Sequence, residues 1–302
     1  MKKKFYLCVV TLLFGMTYAA AQGDGNSSKF EGETTSKVHS VTKMKSQVLT
    51  KNVLAKVILK SVMKKYIDNS PVNYTGTYNI TSIAKGNKTK VITEYNNSVV
   101  ITTIDGDEQK MITYYPYVNK GYYQTVSLAD AKKKVGEMQQ GKAEKTGETI
   151  EILGRKCEVY KMIHEVTTDT LDTKSTTTMH NYFAVCDDPS LPAIDQEAFP
   201  GVKGTPLKFT NNTASQISNN MLNVDFTMSL ATLVTSITPR PVDDSEFEVP
   251  SNIKLFDQIK DAKQVQKIME ENIAYMKKNG LWKEESSEES KIYDNLNEEW
   301  DY

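Results

Sequence analysis

Histidine and cysteine are the residue types in this chain that could bind a transition metal, and both are scarce. The histidines are His39, His164 and His180, and the cysteines beyond residue 21 are Cys157 and Cys186. Zinc sites usually take their ligands in closely spaced pairs. Cys157 and His164 are separated by six residues, and His180 and Cys186 by five, so the spacing disfavours zinc. We expect no metal ion and no other cofactor.

Catalytic arrangements are also missing from the sequence. A serine or cysteine nucleophile needs a nearby base and an orienting acid, and no Gly-x-Ser-x-Gly segment occurs. The acidic pairs Asp187-Asp188 and Asp243-Asp244 lie beside prolines, where carboxylates usually form solvated turns. Gly201 and Gly204 lack the lysine and hydroxyl residue of a phosphate loop. We therefore expect a protein that is not an enzyme.

The first 21 residues have the three parts of a secretory signal peptide. Three lysines are followed by an apolar run from Phe5 to Met16 and by an Ala-x-Ala sequence that ends at Ala21. Cys8 lies too early, among bulky residues, to be a lipidation site. We expect export to the periplasm or the medium of a bacterium, with residues 1–21 removed and no transmembrane segment in the remainder.

The charge balance limits the class of partner. Without the three signal lysines, the 37 basic residues of the chain fall to 34, against 38 acidic residues. Arg155 and Arg240 are the only arginines in the sequence. Arginine is the side chain that best binds phosphate and carboxylate groups through two hydrogen bonds at once, so a dedicated anion site is not expected. Nucleic acid is therefore not expected as a partner.

The N-terminal part, residues 22–68, is expected to consist of a flexible leader and a lysine-rich helix. Residues 22–36 are polar and small, which is typical of a flexible leader, and residues 37–68 show helical apolar spacing. The lysines of this predicted helix are Lys37, Lys43, Lys45, Lys51, Lys56, Lys60, Lys64 and Lys65. The helix either docks on the sheet with a solvated lysine face, which we favour, or contacts an anionic membrane or an acidic partner.

Residues 72–126 change to the two-residue period of β-strands and predict an antiparallel meander of about five strands. Asp105-Gly106 between two β-rich runs is a strong hairpin signal. With these two residues at the tip, the expected pairs are Ile104 with Asp107, Thr102 with Gln109 and Val100 with Met111.

Ser127 begins a predicted helix that ends near Gln140. Strands follow at 149–166 and 176–186, joined by a turn over 169–173. If the hairpin centre lies between Leu171 and Asp172, Cys157 is directly opposite Cys186. Opposed Cα atoms of antiparallel strands are within disulfide reach, so we predict a disulfide between these cysteines.

The last third predicts an irregular loop over 187–206, strands at 207–210 and 222–238, and a C-terminal helix that ends at Gly280. The apolar stripe of this helix is Leu255, Ile259, Ala262, Val265, Met269, Ile273 and Met276. Residues 281–302 then carry eight acidic residues against two lysines. We therefore divide the mature chain into 22–68, a main domain at 69–256, and a helix with an acidic tail at 257–302.

Three segments carry a family resemblance. The first contains Ile104-Asp105-Gly106 and Lys120-Gly121-Tyr122-Tyr123, and the second is Thr146 to Cys157. The third combines Gly204-Thr205-Pro206-Leu207 with Asp243 to Pro250. Together they resemble a family of exported bacterial domains of unknown function with the half-barrel fold of periplasmic lipoprotein carriers, called LolA/LolB-like. The resemblance covers roughly residues 70–256.

The resemblance implies a mainly β, α+β fold: a curved antiparallel half-barrel around a short helix. The amphipathic helices that residue spacing predicts at the N- and C-terminal ends flank it and depart from the family pattern. It implies an apolar interior but no catalytic residue. We expect a binding protein that holds a lipid or another apolar ligand. The residues expected to line the cavity are Tyr78, Val100, Met111, Tyr114 and Tyr123. The alternative is an envelope scaffold that binds a protein partner through its two termini of opposite charge.

Overall fold

The computed structural model describes residues 28–63, 74–130, 143–170, 173–191 and 201–282. It is mainly β, and its strands form a single open, curved sheet. The strand order across the sheet is β12-β6-β5-β4-β3-β2-β1-β11-β10-β9-β8-β7. All neighbours pair antiparallel except β12, which runs parallel to β6.

The strands vary in length from four to 21 residues. In chain order they are β1 (Ser28–Val48), β2 (Tyr74–Gly86), β3 (Lys88–Thr93), β4 (Ser98–Asp105), β5 (Glu108–Tyr115), β6 (Lys120–Ser127), β7 (Glu144–Ile152), β8 (Arg155–Thr170), β9 (Thr173–Cys186), β10 (Thr205–Ser218), β11 (Leu222–Pro239) and β12 (Lys254–Asp257). Helix α1 spans Val53–Met63, and helix α2 spans Ala262–Lys278.

The five-stranded meander is confirmed as β2 to β6, but the predicted register of its central hairpin is wrong. Asp105 pairs with Glu108 and Thr102 with Met111, so the two turn residues are Gly106 and Asp107. Of these two, only Gly106 has a positive φ, 57°, which is the pattern of a type II′ turn with glycine in its first position. The predicted type I′ turn needs positive φ at both residues, so the partner of each β4 residue moves by two.

The predicted leader and helix are wrong for residues 28–48, which form β1 in the middle of the sheet. This strand pairs with β2 on one side and with β11 on the other. Its residues alternate in exposure: Lys43 and Lys45 are exposed, whereas Thr42 is buried and Met44 is half-buried. Val41, Met44 and Val48 also fit a helical spacing, but the segment forms a strand because β2 and β11 pair with it on both sides. Residues 28–48 thus belong to the same sheet as the predicted main domain.

The opposed cysteines are confirmed by the register of β8 and β9. Thr170 pairs with Thr173 and Cys157 pairs with Cys186, which places the hairpin centre between residues 171 and 172. The strand predicted at 149–166 is instead divided into β7 and β8. Leu153 and Gly154 both have positive φ, 51° and 71°, and make the tight turn between them.

The helices agree with the sequence in part. A helix begins at Leu128, where the backbone N–H of Asp130 donates to the Ser127 hydroxyl, and its predicted course to Gln140 lies outside the described residues. The C-terminal helix α2 begins only at Ala262, since the sequence from Lys254 forms β12. Its buried positions are Val265, Ile268, Asn272 and Met276.

Residues 240–253 cover the side of the meander that faces away from α2. Val242 and Phe247 are buried there against Ile83, Val99, Ile101 and Tyr114. Asp243 and Glu246 form a capping box, and the Arg240 guanidinium donates to both carboxylate oxygens of Glu246 at 2.8 Å. A third bond, 3.3 Å long, joins Arg240 to Glu33 of β1. These contacts fasten the covering segment to the sheet.

The signal peptide predicted at 1–21 and the acidic tail from residue 283 lie outside the described residues. Residues 22–27, 64–73, 131–142, 171–172 and 192–200 are also outside them.

Candidate functional site: the inner face of the sheet

One face of the sheet carries an apolar band that crosses most of its strands. Alternate residues of a strand lie on opposite faces, and paired residues share a face. Val38 of β1 shares its face with Tyr78 of β2 and, through successive pairs, with Phe209, Phe183 and Tyr160. We call this the inner face, because α2 packs against it.

The buried side chains of the inner face form one contact cluster. Its members are Val38, Ile80, Val91, Val100, Ala143, Tyr160, Met162, Phe183, Val185, Val202, Phe209 and Leu230. Ala143 and Val202 belong to connections rather than strands, so chain outside the sheet covers part of the band. Val38 is only 1% exposed and Val100 only 8%. The band is therefore covered, not open to solvent.

The structure places three of the five predicted cavity residues on the inner face. Val100 belongs to the buried cluster, and the half-buried Tyr78 and Met111 pack against it. Tyr114 and Tyr123 are on the opposite, outer face. Tyr114 is an odd number of residues from Met111, and Tyr123 pairs with Ile112. The prediction that all five line one cavity is wrong, because Tyr114 and Tyr123 occupy the alternate positions of β5 and β6 that lie on the outer face.

Aromatic side chains join the end of α2 to the margin of the inner face. The ring of Tyr95 lies 5.4 Å from that of Tyr78 and 5.1 Å from that of Trp282. The ammonium of Lys277 lies 5.4 Å from the centre of the Trp282 ring, within range of a cation–π contact. Nearer the middle of α2, Glu271 forms an ion pair with Lys120 of the inner face, with the Lys120 nitrogen 2.6 Å from the carboxylate oxygen.

A buried, uncharged polar group lies beneath α2. Asn272 is completely buried, and its amide donates to the backbone carbonyl of Asn96 at 2.7 Å. The side-chain oxygens of Asn272, Asn96 and Thr93 are buried and have no hydrogen-bond partner among the described residues. Unsatisfied buried acceptors of this kind are uncommon in folded proteins. They mark the place where α2 meets the turn after β3 as polar, with acceptors that lack a partner among the described residues.

Tyrosine hydroxyls extend this polar group along β5 and β6. Burial raises the pKa of Tyr115 well above its usual range, and a hydrogen bond with Tyr122 adds to the shift. Burial also raises the pKa of Tyr122, while hydrogen bonds with Thr113 and Tyr115 act against that rise. Both phenols therefore stay protonated at neutral pH and can donate hydrogen bonds without carrying charge.

A second buried polar pair crosses the middle of the inner face. The amide of Asn211 donates to the side-chain oxygen of Asn181 at 2.6 Å, and both residues are 2% exposed. The Thr213 hydroxyl donates to the side-chain oxygen of Asn211 at 2.9 Å. Sequence reasoning missed this pair and the Asn96–Asn272 contact. Asparagine in a β-rich segment resembles a turn residue unless the partner strand is known.

Cys157 and Cys186 lie on the outer face, both buried, and are free thiols in this structure. Burial raises the pKa of Cys157 to about 11, and that of Cys186 is raised as well. Reactive cysteines have a lowered thiol pKa, so the raised pKa values of these two thiols differ from those of a nucleophilic cysteine. The pairing of the two positions is confirmed, whereas the disulfide itself stays a prediction.

The histidines do not join the cysteines. His164 lies on the inner face, an odd number of residues along β8 from Cys157. His180 shares the outer face with Cys186 but is six residues along the strand, which corresponds to about 20 Å. No three His, Cys, Asp or Glu side chains of the described residues come together as metal ligands.

Comparison of the chain with known protein families gives no match, and comparison with curated protein sequences gives none either. No helix within the described ranges combines the length and the apolar character that crossing a bilayer requires.

Proposed function

We propose that this protein is an exported, non-enzymatic binding protein that holds an apolar, lipid-like ligand against the inner face of a half-barrel. The observation that carries the proposal is the apolar band that crosses the inner face from strand to strand. The inner face bears the continuous apolar band, with the half-buried Tyr78 and Met111 at its margin. The outer face of β1 bears Lys43 and Lys45 instead.

Binding would work by burial of apolar surface, which contributes about 25 cal/mol for each Å² removed from water. Because Val38 and Val100 are already covered, a ligand would have to replace contacts that cover the band. Ala143 and Val202 are the natural candidates, because they reach the band from connections and not from the ladder of strands. Replacing their contacts would leave every backbone hydrogen bond of the sheet intact.

The alternative is an envelope scaffold that binds a protein through its charged termini. It requires a filled inner face and tryptophans that are free to contact a partner. The burial of the apolar band agrees with the first requirement. Trp282 is half-buried against Tyr95, so it does not meet the second. Trp300, the second of the two tryptophans in the sequence, lies outside the described residues.

The first test is native mass spectrometry of the mature protein purified from a bacterial envelope without detergent, followed by solvent extraction and lipid analysis. We expect an added mass that extraction removes and that the extracted lipid restores. If the protein shows only its unliganded mass and takes up no added lipid or fatty acid, the proposal is wrong. The envelope scaffold would then be the better-supported function.

A matched pair of variants tests which face binds. Tyr78→Ser removes a half-buried aromatic ring from the inner face, and Tyr123→Ser removes one from the outer face. We expect Tyr78→Ser to weaken lipid uptake about tenfold, since a buried aromatic ring contributes 1.5 kcal/mol or more. Tyr123→Ser should bind as the unmodified protein does. Equal binding by both variants would place the ligand elsewhere.

A further inference from the structure

Helix α1 presents large apolar side chains to solvent. Val53 is 77% exposed, Leu54 72%, Val57 62% and Ile58 53%. The opposite side of the helix, which carries Leu59, is half-buried. The helix therefore packs its smaller apolar side against the protein. The described residues leave its larger apolar side uncovered.

The apolar surface continues beyond the helix. Leu49 is 41% exposed and Met221 46%, and the backbone N–H of Leu49 donates to the carbonyl of Met221 at 2.8 Å. Six of the 13 large apolar residues that are exposed within the described ranges lie in this one region. Such clustering differs from the scattered exposed apolar residues of an ordinary surface. The patch comprises Leu49, Val53, Leu54, Val57, Ile58 and Met221.

Positive charge borders the patch. Lys51, Lys56 and Lys60 are exposed, and residues 49–63 contain no acidic residue. None of these three lysines forms an ion pair with the described residues. Lys56 and Lys60 are four residues apart, so they share one edge of the helix beside its exposed apolar side.

We infer that α1 docks this protein on an anionic membrane surface, with the patch in the acyl boundary and the lysines among the headgroups. An apolar helix face flanked by lysines is the pattern of a helix that lies in the membrane interface. Protein interfaces rely instead on tryptophan, tyrosine and arginine anchors. The patch contains only aliphatic side chains and methionine, so a lipid surface suits it better than a protein groove. The inference does not depend on a ligand at the inner face.

The test is sedimentation of the mature protein with two kinds of vesicle, phosphatidylcholine alone or equal parts of phosphatidylcholine and phosphatidylglycerol. We expect binding to the anionic vesicles that falls as salt is raised. Lys56→Gln/Lys60→Gln should weaken it about fivefold for each lysine, because a lysine near an anionic surface contributes about 1 kcal/mol. Leu54→Ser/Ile58→Ser should abolish it.

Matched controls come from the other helix and from outside the patch. Lys263 and Lys267 of α2 are exposed and have the same four-residue spacing, and Ile259 is 83% exposed. Lys263→Gln/Lys267→Gln and Ile259→Ser should bind vesicles as the unmodified protein does, and all variants should keep its circular dichroism spectrum. Unchanged lipid content of Leu54→Ser/Ile58→Ser in native mass spectrometry would separate docking from ligand binding.

Three outcomes would overturn the inference. The first is equal sedimentation with neutral and anionic vesicles, and the second is an equal loss of binding in the α2 lysine control. The third is a dimer without vesicles, detected by light scattering, that Leu54→Ser/Ile58→Ser converts to a monomer. That result would assign the patch to a second copy of the chain.

Discussion

At the residue scale, Cys157 and Cys186 are buried at directly opposed positions of β8 and β9. The turn at 169–173 and the positions of Cys157 and Cys186 are separate signals, and both place the hairpin centre at the same point. Asn272 shows the limit of such reasoning. It interrupts the apolar stripe of α2, yet it is the most deeply buried residue of that helix because it binds the carbonyl of Asn96. Nothing in the local sequence specifies that partner.

The cysteine pair leads to a prediction about redox and pH. After export we expect a disulfide, which closes a loop of about 30 residues and stabilises the fold by roughly 3–4 kcal/mol. Denaturant unfolding should therefore show a loss of that size when dithiothreitol is added. The variant Cys157→Ala/Cys186→Ala should show no response to the reductant, and an equal response would contradict the prediction.

The sign of the pH effect in the reduced protein follows from burial. Since burial raises the pKa of Cys157 from 9.0 to about 11, the folded state keeps a proton that the unfolded state releases. The reduced protein is therefore fully stabilised below about pH 9 and loses stability as the pH rises toward 11. The oxidised protein has no thiol proton to lose, so it should lack the part of this decline that begins at pH 9, below the tyrosine range.

At the element scale, alternation predicted the strands well where it extended over a whole segment, as in the meander. It failed for β1 because lysine, valine and methionine there fit two periods at once. Lys43-Met44-Lys45 alternates as a strand requires, while Val41, Met44 and Val48 also fit one helix face. Pairing with β2 and β11 decides between them, and those partners are distant in sequence.

The covering segment at 240–253 gives a second pH prediction. The Arg240 guanidinium lowers the pKa of the Glu246 carboxyl, and hydrogen bonds lower those of Asp243 and Asp244. Lowered carboxyl pKa values give stability that is present above about pH 4 and is lost as the pH falls through the folded-state values. We expect the protection of the Ser245 and Glu246 amides from hydrogen exchange to fall in acid.

Arginine substitution provides the control for this prediction. Arg240→Gln removes both bonds to Glu246, so the loss of protection should begin at a higher pH. Arg155→Gln breaks the chain's other arginine ion pair, a 3.0 Å contact with Asp188, and should leave the segment's protection unchanged. Protection that is identical in the two variants would show that the capping box alone holds the segment.

At the scale of the whole molecule, the sequence predicted a mainly β fold and a single sheet could be expected from the resemblance. The position of β1 between β2 and β11 could not be predicted from the sequence. Its pairing with β11 joins residues about 200 positions apart, such as Glu33 and Thr238. The local residue pattern does not specify such a contact. The sequence therefore suggested a domain boundary at residue 69, although β1 and β2, which lie on either side of it in the chain, pair in one sheet.

That difference yields a truncation test. We expect a chain of residues 69–256 to remain unfolded, because it lacks β1. Both β2 and β11 would then present long unpaired edges, and the inner face would lose Val38, which is 1% exposed. A chain of residues 22–282 keeps all twelve strands of the described sheet together with α1 and α2, so it should unfold in one cooperative transition with the circular dichroism spectrum of a β protein. Cooperative unfolding of 69–256 would instead mean that β1 is an accessory strand. Restoration of folding by an added peptide of residues 28–48 would confirm that the strand completes the sheet.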